Sequence, residues 1–315
     1  MMSMQNFTHT LKQIIELKLN QSKQKFLCID TKDKKMGSDT IAEINFFSHT
    51  IDGCAPWMDS NPKLGWTTTN YARTPQRVTI HDLRGKENSV DLDINGFEIL
   101  KYDGNVLNVF DDNSETQRYY YEEIVNILKK RLNASHVIIF NHITRSRGPS
   151  RSVDQCDSTH KNPIFYPHVD NDPSGAYFKL KEIVGEEESK KIMQKRFQII
   201  NVWRPLGLYP IRKIPLAICD YRSLNLNNDI HLSEVRGTVA TVSIYTISHN
   251  SQNTQKWYYL SEMRSNEMFI FKIFDSKSDV AQFGAHTAFI NENVSSTLIE
   301  QDSIEMRCLI LYSSD

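Results

Sequence analysis

Short apolar runs, typical of β-strands, dominate the second half of the chain. Each run is bounded by Gly, Pro, Asn, Asp or Ser, and no β-α-β alternation separates them. The runs are Phe197–Trp203, Leu216–Tyr221, Thr238–Ile247, Lys256–Leu260, Met268–Phe274 and Ile304–Tyr312. Many short strands in this order predict an antiparallel, double-layered barrel of the jelly-roll or cupin kind.

The first half of the chain mixes helical and strand patterns. Apolar residues at helical spacing predict a helix over residues 7–20 and another from Ser114 to about Leu132. A charged segment at 178–195, acidic at its start and basic at its end, predicts a third helix. The stretch from Asn141 to Pro149 is polar and basic, and we interpret it as a turn. Strand patterns lie at Ile41–Phe47, Arg77–His81, Val90–Ile94, Val106–Phe110 and Ser135–Phe140.

The predicted fold class is therefore mainly β with flanking helices, built as a double-stranded β-helix (jelly-roll or cupin-like) barrel. We find no internal repeat and no clear domain boundary. The domain prediction is a helical extension over residues 1–40 and one domain over 41–315, with its barrel core at about 135–315. Broad loops at 48–75 and 143–165 are expected to act as substrate lids.

Composition excludes several classes of partner. Among 315 residues, 37 Lys and Arg nearly balance 38 Asp and Glu, so neither nucleic acid nor an anionic membrane surface is an expected partner. No apolar run approaches the length of a membrane span, and the N-terminus lacks the features of a signal peptide. The five cysteines are scattered without CxxC spacing. These features predict a cytoplasmic protein with reduced thiols.

The candidate chemistry lies in the stretch from Phe165 to Gly175, which contains His168-Val-Asp170. On an extended segment residues i and i+2 point to the same face, so the imidazole and the carboxylate can address one point. His-x-Asp with a distant second His is the two-His-one-carboxylate arrangement that holds Fe(II) and leaves coordination positions open. A surface turn after Pro167 is the competing interpretation.

Three downstream histidines are candidates for the third ligand. His231 follows Asn227-Asn-Asp and is expected in a loop, whereas His249 ends a strand before a hairpin turn and is expected to face water. His286 follows the strand Met268–Phe274 and precedes the last strand, which carries an arginine. That order matches a 2-oxoglutarate oxygenase barrel, so His286 is preferred and His249 stays the alternative.

Several longer motifs occur in a fixed order and support a family resemblance. They are His168-Val-Asp170, Ile200-Asn-Val-Trp-Arg-Pro205, Pro215-Leu-Ala-Ile-Cys-Asp220-Tyr-Arg-Ser223, Trp257-Tyr-Tyr, Phe271-Lys-Ile-Phe-Asp275-Ser276, His286-Thr-Ala-Phe289 and Ser303-Ile-Glu-Met-Arg307. Over about residues 75–312, including Asp82-Leu-Arg-Gly85 and Gly96-Phe97, the chain resembles a fungal and bacterial family of hydroxylase/desaturase-like proteins. That family includes gibberellin desaturase, cephem methoxylase components and a meroterpenoid endoperoxide-forming oxygenase.

The resemblance implies a non-haem Fe(II)- and 2-oxoglutarate-dependent dioxygenase that uses O2 and releases succinate and CO2. It implies that His168, Asp170 and His286 bind the metal, with Arg307 as the 2-oxoglutarate anchor. Arginine suits that task because its planar fork binds a carboxylate with two hydrogen bonds. The expected substrate is a small specialised metabolite. Hydroxylation, desaturation and ring-forming oxidation stay open, as does the oligomeric state, with a homodimer as one option.

Three further residues are candidates for the substrate pocket, each with a structural alternative. Arg204 either lines the pocket beside Trp203 or pairs with a nearby acid. Trp257 either lines the pocket or lies in the core. Lys272 stands in an apolar strand, where an unpaired lysine is rare, so it either contacts ligand or pairs with Asp275 or Glu305.

Two other functional classes compete with the oxygenase. One is a non-catalytic jelly-roll module or a helper subunit of a biosynthetic enzyme, which has little reason to keep an intact His-x-Asp. The other is a cupin-like metalloenzyme that needs no oxo-acid, for which Arg307 has no task. The intact motif and Arg307 together favour the oxygenase.

Overall fold

Two β-sheets form the body of the protein. The computed structural model describes residues 37–59, 68–104, 115–146, 161–236, 242–295 and 302–313. The five-stranded sheet has the order β4-β12-β7-β14-β5, and all its neighbours are antiparallel. Its strands are β4 (Phe97–Lys101), β5 (His136–Ser146), β7 (Phe197–Pro205), β12 (Glu267–Asp275) and β14 (Asp302–Leu311).

The nine-stranded sheet carries the His-x-Asp motif. Its order is β1-β3-β11-β8-β13-β6-β10-β9-β2, and only the pairs β11–β3 and β2–β9 are parallel. Its strands are β1 (Thr40–Thr50), β2 (Trp57–Asp59), β3 (Tyr71–Asp82), β6 (His168–Val169), β8 (Leu216–Cys219), β9 (Ile230–Arg236), β10 (Val242–Ile247), β11 (Trp257–Tyr259) and β13 (His286–Ala288).

The described residues contain four α-helices, of which one is long. They are α1 (Leu92–Asn95), α2 (Glu115–Leu132), α3 (Pro173–Val184) and α4 (Glu186–Ile192), with 3-10 turns at Glu87–Ser89 and Tyr221–Ser223. Across the described ranges, none of these helices combines the length and the apolar character needed to cross a membrane. The structure is thus mainly β with flanking helices, as predicted.

Side-chain alternation along β7 divides the five-stranded sheet into an outer and an inner face. On the outer face Ile200 and Val202 pack in one core cluster with Tyr120, Ile124 and Leu128 of α2. On the inner face Trp203 packs in another cluster with Leu216 and Ile218 of the nine-stranded sheet. The two sheets therefore enclose a common interior, which is the double-layered barrel that the strand pattern predicts.

Helix α3 packs against the same interior at another level. Its Ala176 and Leu180 share a cluster with Phe197 and Ile199 of β7 and Leu309 of β14. Asp172 begins this helix by accepting hydrogen bonds from the backbone N–H groups of Gly175 and Ser174, at 2.9 and 3.2 Å. Along the inner face of β7, position 201 lies between Ile199 in this cluster and Trp203 in the other. Asn201, the polar residue at that position, therefore faces the space between two apolar layers.

Local chemistry explains where the element predictions differ from the structure. Val90–Ile94, predicted as a strand, instead leads into α1, because Asp91 caps the helix and Gly96 ends it with a left-handed φ of 87°. The segment from Asn141 is not a turn, since β5 continues to Ser146 by pairing with β14. The predicted helix over 7–20 and strand Val106–Phe110 lie outside the described residues, as do residues 60–67 of one expected lid and 147–160 of the other.

An ion pair joins the end of β3 to the start of β12, and so links the two sheets. Arg84 donates from both Nη atoms to the carboxylate of Glu267, at 2.5 and 2.9 Å. Lys101 adds a third contact at 2.7 Å. Burial raises the pKa of Glu267, but the hydrogen bonds from Arg84 and Lys101 outweigh burial and lower the pKa to about 2.

Glu267→Gln is expected to reduce the free energy of unfolding at neutral pH by about 3 kcal/mol. The folded-state pKa of Glu267 lies below its unfolded value, so this stabilisation is fully present above about pH 4.5 and is lost as the pH falls towards 2. Urea unfolding of both proteins at pH 7, 5 and 3 measures the difference. The difference in unfolding free energy should narrow at pH 3. A difference that stays constant from pH 7 to pH 3 would contradict the lowered pKa of Glu267. Glu262→Gln, at an exposed ion pair with Arg212, is the matched control with little expected effect.

Candidate metal centre

The His-x-Asp motif begins in β6, a strand of only two residues between β13 and β10, and its Asp170 directly follows that strand. His168 is the direct register partner of His286 on β13 and of Thr246 on β10. Val169 between the motif residues points the other way, into the cluster that contains Phe46 and Trp257. The alternation therefore turns His168 and Asp170 together towards the barrel interior.

A glycine contact sets the backbone ahead of His286. Gly96 has no side chain, and a Cβ at this position would collide with the carbonyl oxygen of Phe283. Lys272 N donates to Gly96 O at 2.9 Å, and Gly284 N donates to Lys272 O at 2.8 Å. This backbone chain fixes the segment that delivers His286 onto β13.

The structure brings His168, Asp170 and His286 together. One potential ligand atom of each lies within 4.8 Å of the others. Nε2 of His168 is 3.6 Å from Oδ1 of Asp170, and the two imidazole centroids are 4.4 Å apart. Both histidines are buried, with 5% and 4% exposure. Two imidazoles and one carboxylate on one side of a buried space form the donor set of a mononuclear Fe(II) site.

Backbone carbonyls hold both imidazole rings through Nδ1. Nδ1 of His168 lies 3.0 Å from Tyr166 O, and Nδ1 of His286 lies 3.1 Å from Gly284 O. A carbonyl only accepts, so each Nδ1 carries a proton, and Nε2 is the ring nitrogen that is available to a metal. Such support by outer hydrogen bonds is characteristic of metal-binding histidines.

The electrostatics suit a cation. Burial raises the pKa of the Asp170 carboxyl, yet the guanidinium of Arg307 and the neighbouring imidazoles hold it well below its usual value. Burial lowers the pKa of His286 to about 3, and His168 adds to that effect. Asp170 is therefore ionised and His286 neutral at physiological pH, which are the protonation states that metal binding requires.

Two residues of the five-stranded sheet contact Asp170 from across the interior. Oδ2 of Asp170 accepts a hydrogen bond from Asn201 Nδ2 at 2.9 Å and lies 3.2 Å from Arg307 Nη2. Asn201 on β7 and Arg307 on β14 are direct register partners. Arg307 also lies 3.8 Å from Glu305, and its buried Nε has no hydrogen-bond partner in the part of the chain that the structure describes.

A cavity of about 20 Å³ adjoins the two histidines, which is room for roughly one water molecule. Its wall combines apolar side chains with two charged ones. Burial raises the pKa of Glu305, and the carboxylate of Asp170 adds to the rise. Arg145 Nη1 donates to Asn162 O at 2.8 Å. The lining residues are Arg145, Ile164, His168, Leu216, His286, Thr287, Ala288 and Glu305.

The three predicted substrate-pocket residues do not reach this cavity. Arg204 lies on the outer face of β7, where its guanidinium stacks on the rings of Tyr102 and Tyr120, with 3.9 and 5.1 Å to the ring centroids. Trp257 packs in the core cluster behind Val169, with its ring 5.9 Å from that of Phe46. Trp257 thus occupies the core position that was its structural alternative, whereas Arg204 stacks on tyrosine rings and, among the described residues, neither lines the cavity nor pairs with an acid.

Lys272 is fully buried in an ion-pair network instead of a pocket. Its Nζ lies 2.6 Å from Asp275, 2.7 Å from Asp93 and 2.8 Å from the carbonyl oxygen of Ala281. Arg196 contacts the same two aspartates, at 2.7 and 2.6 Å. The structural alternative for Lys272, a pairing with Asp275, is the one observed.

Lys272→Met is expected to lower the free energy of unfolding by about 3 kcal/mol, because it leaves the buried Asp275 carboxylate with fewer partners. Fe(II) binding should persist, since the lysine does not face the cavity. Denaturant unfolding measures the loss, with Lys277→Met as the matched control on a half-exposed lysine. Unchanged stability in Lys272→Met would contradict this role.

The alternative histidines lie elsewhere. His249 packs its ring 5.1 Å from that of Phe46. His231 is on strand β9, not in a loop, and its Nε2 lies 2.9 Å from Ser248 Oγ. Among the described residues, the cluster of potential metal ligands contains neither of them.

Sequence reasoning missed one residue at the centre. Asn201 is the only amide that contacts Asp170 in the described part of the structure. A polar residue inside the apolar run Phe197–Trp203 was the available signal. Which face of the strand it occupied depended on pairing that a single sequence does not reveal.

Comparisons with known proteins agree with this geometry. A family model described as "Oxidoreductase/YMDC permease-like domain" matches residues 44–311. The chain is 30% identical over 258 residues to "Fe(II)/2-oxoglutarate-dependent dioxygenase nvfI" of Aspergillus novofumigatus, covering 79% of this chain and 88% of that protein. It is also 30% identical over 305 residues to "Hydroxylase/desaturase CTB9" of Cercospora beticola, covering 90% of each chain.

A solved structure shares the fold. The iron and alpha-ketoglutarate-dependent endoperoxidase NvfI superposes with a TM-score of 0.74 at 27% sequence identity, over 89% of this chain and 100% of that one. The likeness therefore extends over the whole barrel and is not confined to the His-x-Asp motif.

Proposed function

The chain belongs to the family of Fe(II)/2-oxoglutarate-dependent dioxygenases and hydroxylase/desaturases, and on that premise we propose that His168, Asp170 and His286 bind its iron. We further propose that Arg307 anchors the distal carboxylate of 2-oxoglutarate. The protein is an oxidoreductase that uses Fe(II), 2-oxoglutarate and O2 to oxidise a small molecule of specialised metabolism.

One observation carries the proposed ligand set. The donor atoms of the three side chains lie within 4.8 Å of one another, with both Nδ1 atoms tied to carbonyls. This donor set fits Fe(II), because two imidazoles and one carboxylate on one side leave coordination positions for other ligands. The residues that this chain places there therefore fit the metal that the family uses.

Arg307 fits an oxo-acid. Its buried Nε has no hydrogen-bond partner among the described residues, so the guanidinium has donor capacity left for a carboxylate. Desolvation lowers the pKa of the partly buried Arg307, but its interactions with the carboxyl groups of Asp170 and Glu305 outweigh this effect and raise the pKa, which keeps the guanidinium charged. A charged fork beside the ligand set suits an anion that must also reach the metal.

When bound, Fe(II) and 2-oxoglutarate would activate O2, which is the oxidant: the oxo-acid would be oxidised to succinate and CO2, and a substrate C–H bond would supply the remaining electrons. The chain's own residues bind, orient and enclose. The ring of Phe271, 4.6 Å from that of His286, shields the site from water, together with Leu216 and Ile164. Asp170 and His286 keep the protonation states described above without a separate catalytic base.

Anaerobic titration tests the proposed function. Fe(II) is added to the metal-free protein, followed by 2-oxoglutarate, and the visible absorption is recorded for the charge-transfer band of the chelated oxo-acid. Succinate is the matched control, because it lacks the 2-oxo group and cannot chelate the metal. We expect the band when 2-oxoglutarate is added to the Fe(II)-loaded protein, and no band when succinate is added instead.

The other outcomes identify the competing classes. Iron binding without a band would favour a metalloenzyme that needs no oxo-acid. Absence of iron binding would favour a non-catalytic module or a helper subunit. The cytoplasmic location, a homodimer, the lack of nucleic-acid partners and the domain division at residue 40 stay predictions from sequence.

A further inference from the structure

Asn201 is a fully buried amide in an otherwise apolar strand. Its neighbours on the inner face of β7, Ile199 and Trp203, belong to two separate apolar clusters. Burying an amide costs free energy unless hydrogen bonds replace its contacts with water. Its Oδ1 is buried without a hydrogen-bond partner in the described ranges, so packing does not satisfy this side chain fully. The placement of the amide therefore serves something other than stability.

The one side-chain hydrogen bond that the structure gives to Asn201 goes to Asp170. Nδ2 donates to Oδ2 at 2.9 Å, and Arg307 Nη2 approaches the same oxygen at 3.2 Å. Oδ1 of Asp170 receives neither donor and lies on the side of His168, 3.6 Å from its Nε2. Both donors thus contact Oδ2 of Asp170, whereas Oδ1 faces the imidazoles.

Arg307 has two tasks that compete. Under the proposed function its guanidinium binds the distal carboxylate of 2-oxoglutarate, and donors used there are lost to Asp170. Asn201 has no such second task, since an amide on the same strand pair cannot replace a charged fork for the oxo-acid. When 2-oxoglutarate binds, Asn201 is the donor that stays on Oδ2.

We propose that Asn201 is a positioning residue for the iron-binding carboxylate. It holds Oδ2 of Asp170 so that Oδ1 faces the metal, and it keeps this orientation after Arg307 turns to 2-oxoglutarate. The inference rests on the proposed function, because it requires Asp170 to be an iron ligand and Arg307 to be the oxo-acid anchor.

Asn201→Leu tests the inference, because leucine matches the size of asparagine and removes the donor. Loss of an outer hydrogen bond to a metal ligand typically weakens metal binding about 10- to 100-fold. We expect a loss of that size in Fe(II) affinity with 2-oxoglutarate present, and a smaller loss without it, when Arg307 still holds Oδ2. The charge-transfer band should also shift. Anaerobic competition against a chromogenic chelator measures the affinity.

Gln198→Leu is the matched control. Gln198 is a buried amide on the same strand that donates to an aspartate, Asp275, at 2.7 Å on the outer face. Gln198→Leu should leave Fe(II) affinity unchanged. If Gln198→Leu lost as much Fe(II) affinity as Asn201→Leu, the loss would come from general damage to the fold and not from the hydrogen bond to Asp170. If Asn201→Leu does not fold, Asn201→Ser replaces it, and thermal melting of the metal-free proteins compares their stability.

The outcomes separate this inference from the proposed function. No band in the wild type would overturn the proposed function itself. A wild-type band with Fe(II) affinity of Asn201→Leu within about threefold of wild type would overturn only the role of Asn201. If Asn201→Leu lost the same Fe(II) affinity with and without 2-oxoglutarate, the proposal that Arg307 leaves Asp170 when it binds 2-oxoglutarate would be overturned.

Discussion

His286→Ala is expected to weaken Fe(II) binding by more than about 100-fold, because removal of an iron ligand costs more than removal of an outer hydrogen bond. The reason is geometric. His286 is the register partner of His168 and completes the three-donor set, so its loss leaves one imidazole and one carboxylate. Fe(II)-dependent conversion of 2-oxoglutarate to succinate should fall with it. Metal competition and succinate release measure the two effects.

His249→Ala is the matched control for this prediction. His249 is a downstream histidine of the same type, but its ring packs against Phe46 and belongs to no cluster of potential ligands in the described residues. It should bind Fe(II) with wild-type affinity. If His249→Ala lost the metal and His286→Ala kept it, the third ligand would be His249.

Arg307→Leu is expected to weaken 2-oxoglutarate binding by about 2–5 kcal/mol, the cost of truncating one partner of a buried charge pair. This corresponds to roughly a 30- to 5000-fold loss in affinity. Titration of the Fe(II)-loaded protein with 2-oxoglutarate, followed by the charge-transfer band, measures it. Arg307→Lys should recover only part of the affinity, because lysine keeps the charge but not the two-pronged geometry.

Arg145→Leu is the comparison that makes this result specific. Arg145 lines the cavity beside the two histidines, but its guanidinium donates a hydrogen bond to the carbonyl oxygen of Asn162 at 2.8 Å. We expect its 2-oxoglutarate affinity to stay within about threefold of wild type. A large loss in Arg145→Leu with little loss in Arg307→Leu would exchange the two roles.

Strand runs were the part of the fold that the sequence predicted well. The apolar runs that became β7, β12 and β14 are buried on both faces, so their composition alone identifies them. Val90–Ile94 was wrongly predicted as a strand from its apolar residues. Asp91 caps a short helix there, and Gly96 ends that helix in the left-handed conformation. Strand β9 was missed because Ser233 is its only buried residue and because it contains Glu, Arg and His.

The site was predictable where chemistry depends on local spacing and not where it depends on register. His-x-Asp needs only alternation, so His168 and Asp170 could be assigned to one face from sequence. Lys272 and Arg204 also stand in apolar strands, yet both point outward, and for Lys272 the pairing shifts at an irregularity between Lys272 and Phe274. Asn201 points inward by the same kind of alternation. Three polar residues in apolar strands thus looked alike, and only the pairing of the sheets separates them.

The most direct test of the proposed iron ligands is an anomalous-scattering measurement at the iron edge, on crystals grown anaerobically with Fe(II) and 2-oxoglutarate. We expect one strong peak, coordinated by Nε2 of His168, Oδ1 of Asp170 and Nε2 of His286, with the distal carboxylate of the oxo-acid on Arg307. A peak held by other side chains, or bound oxo-acid remote from Arg307, would contradict it.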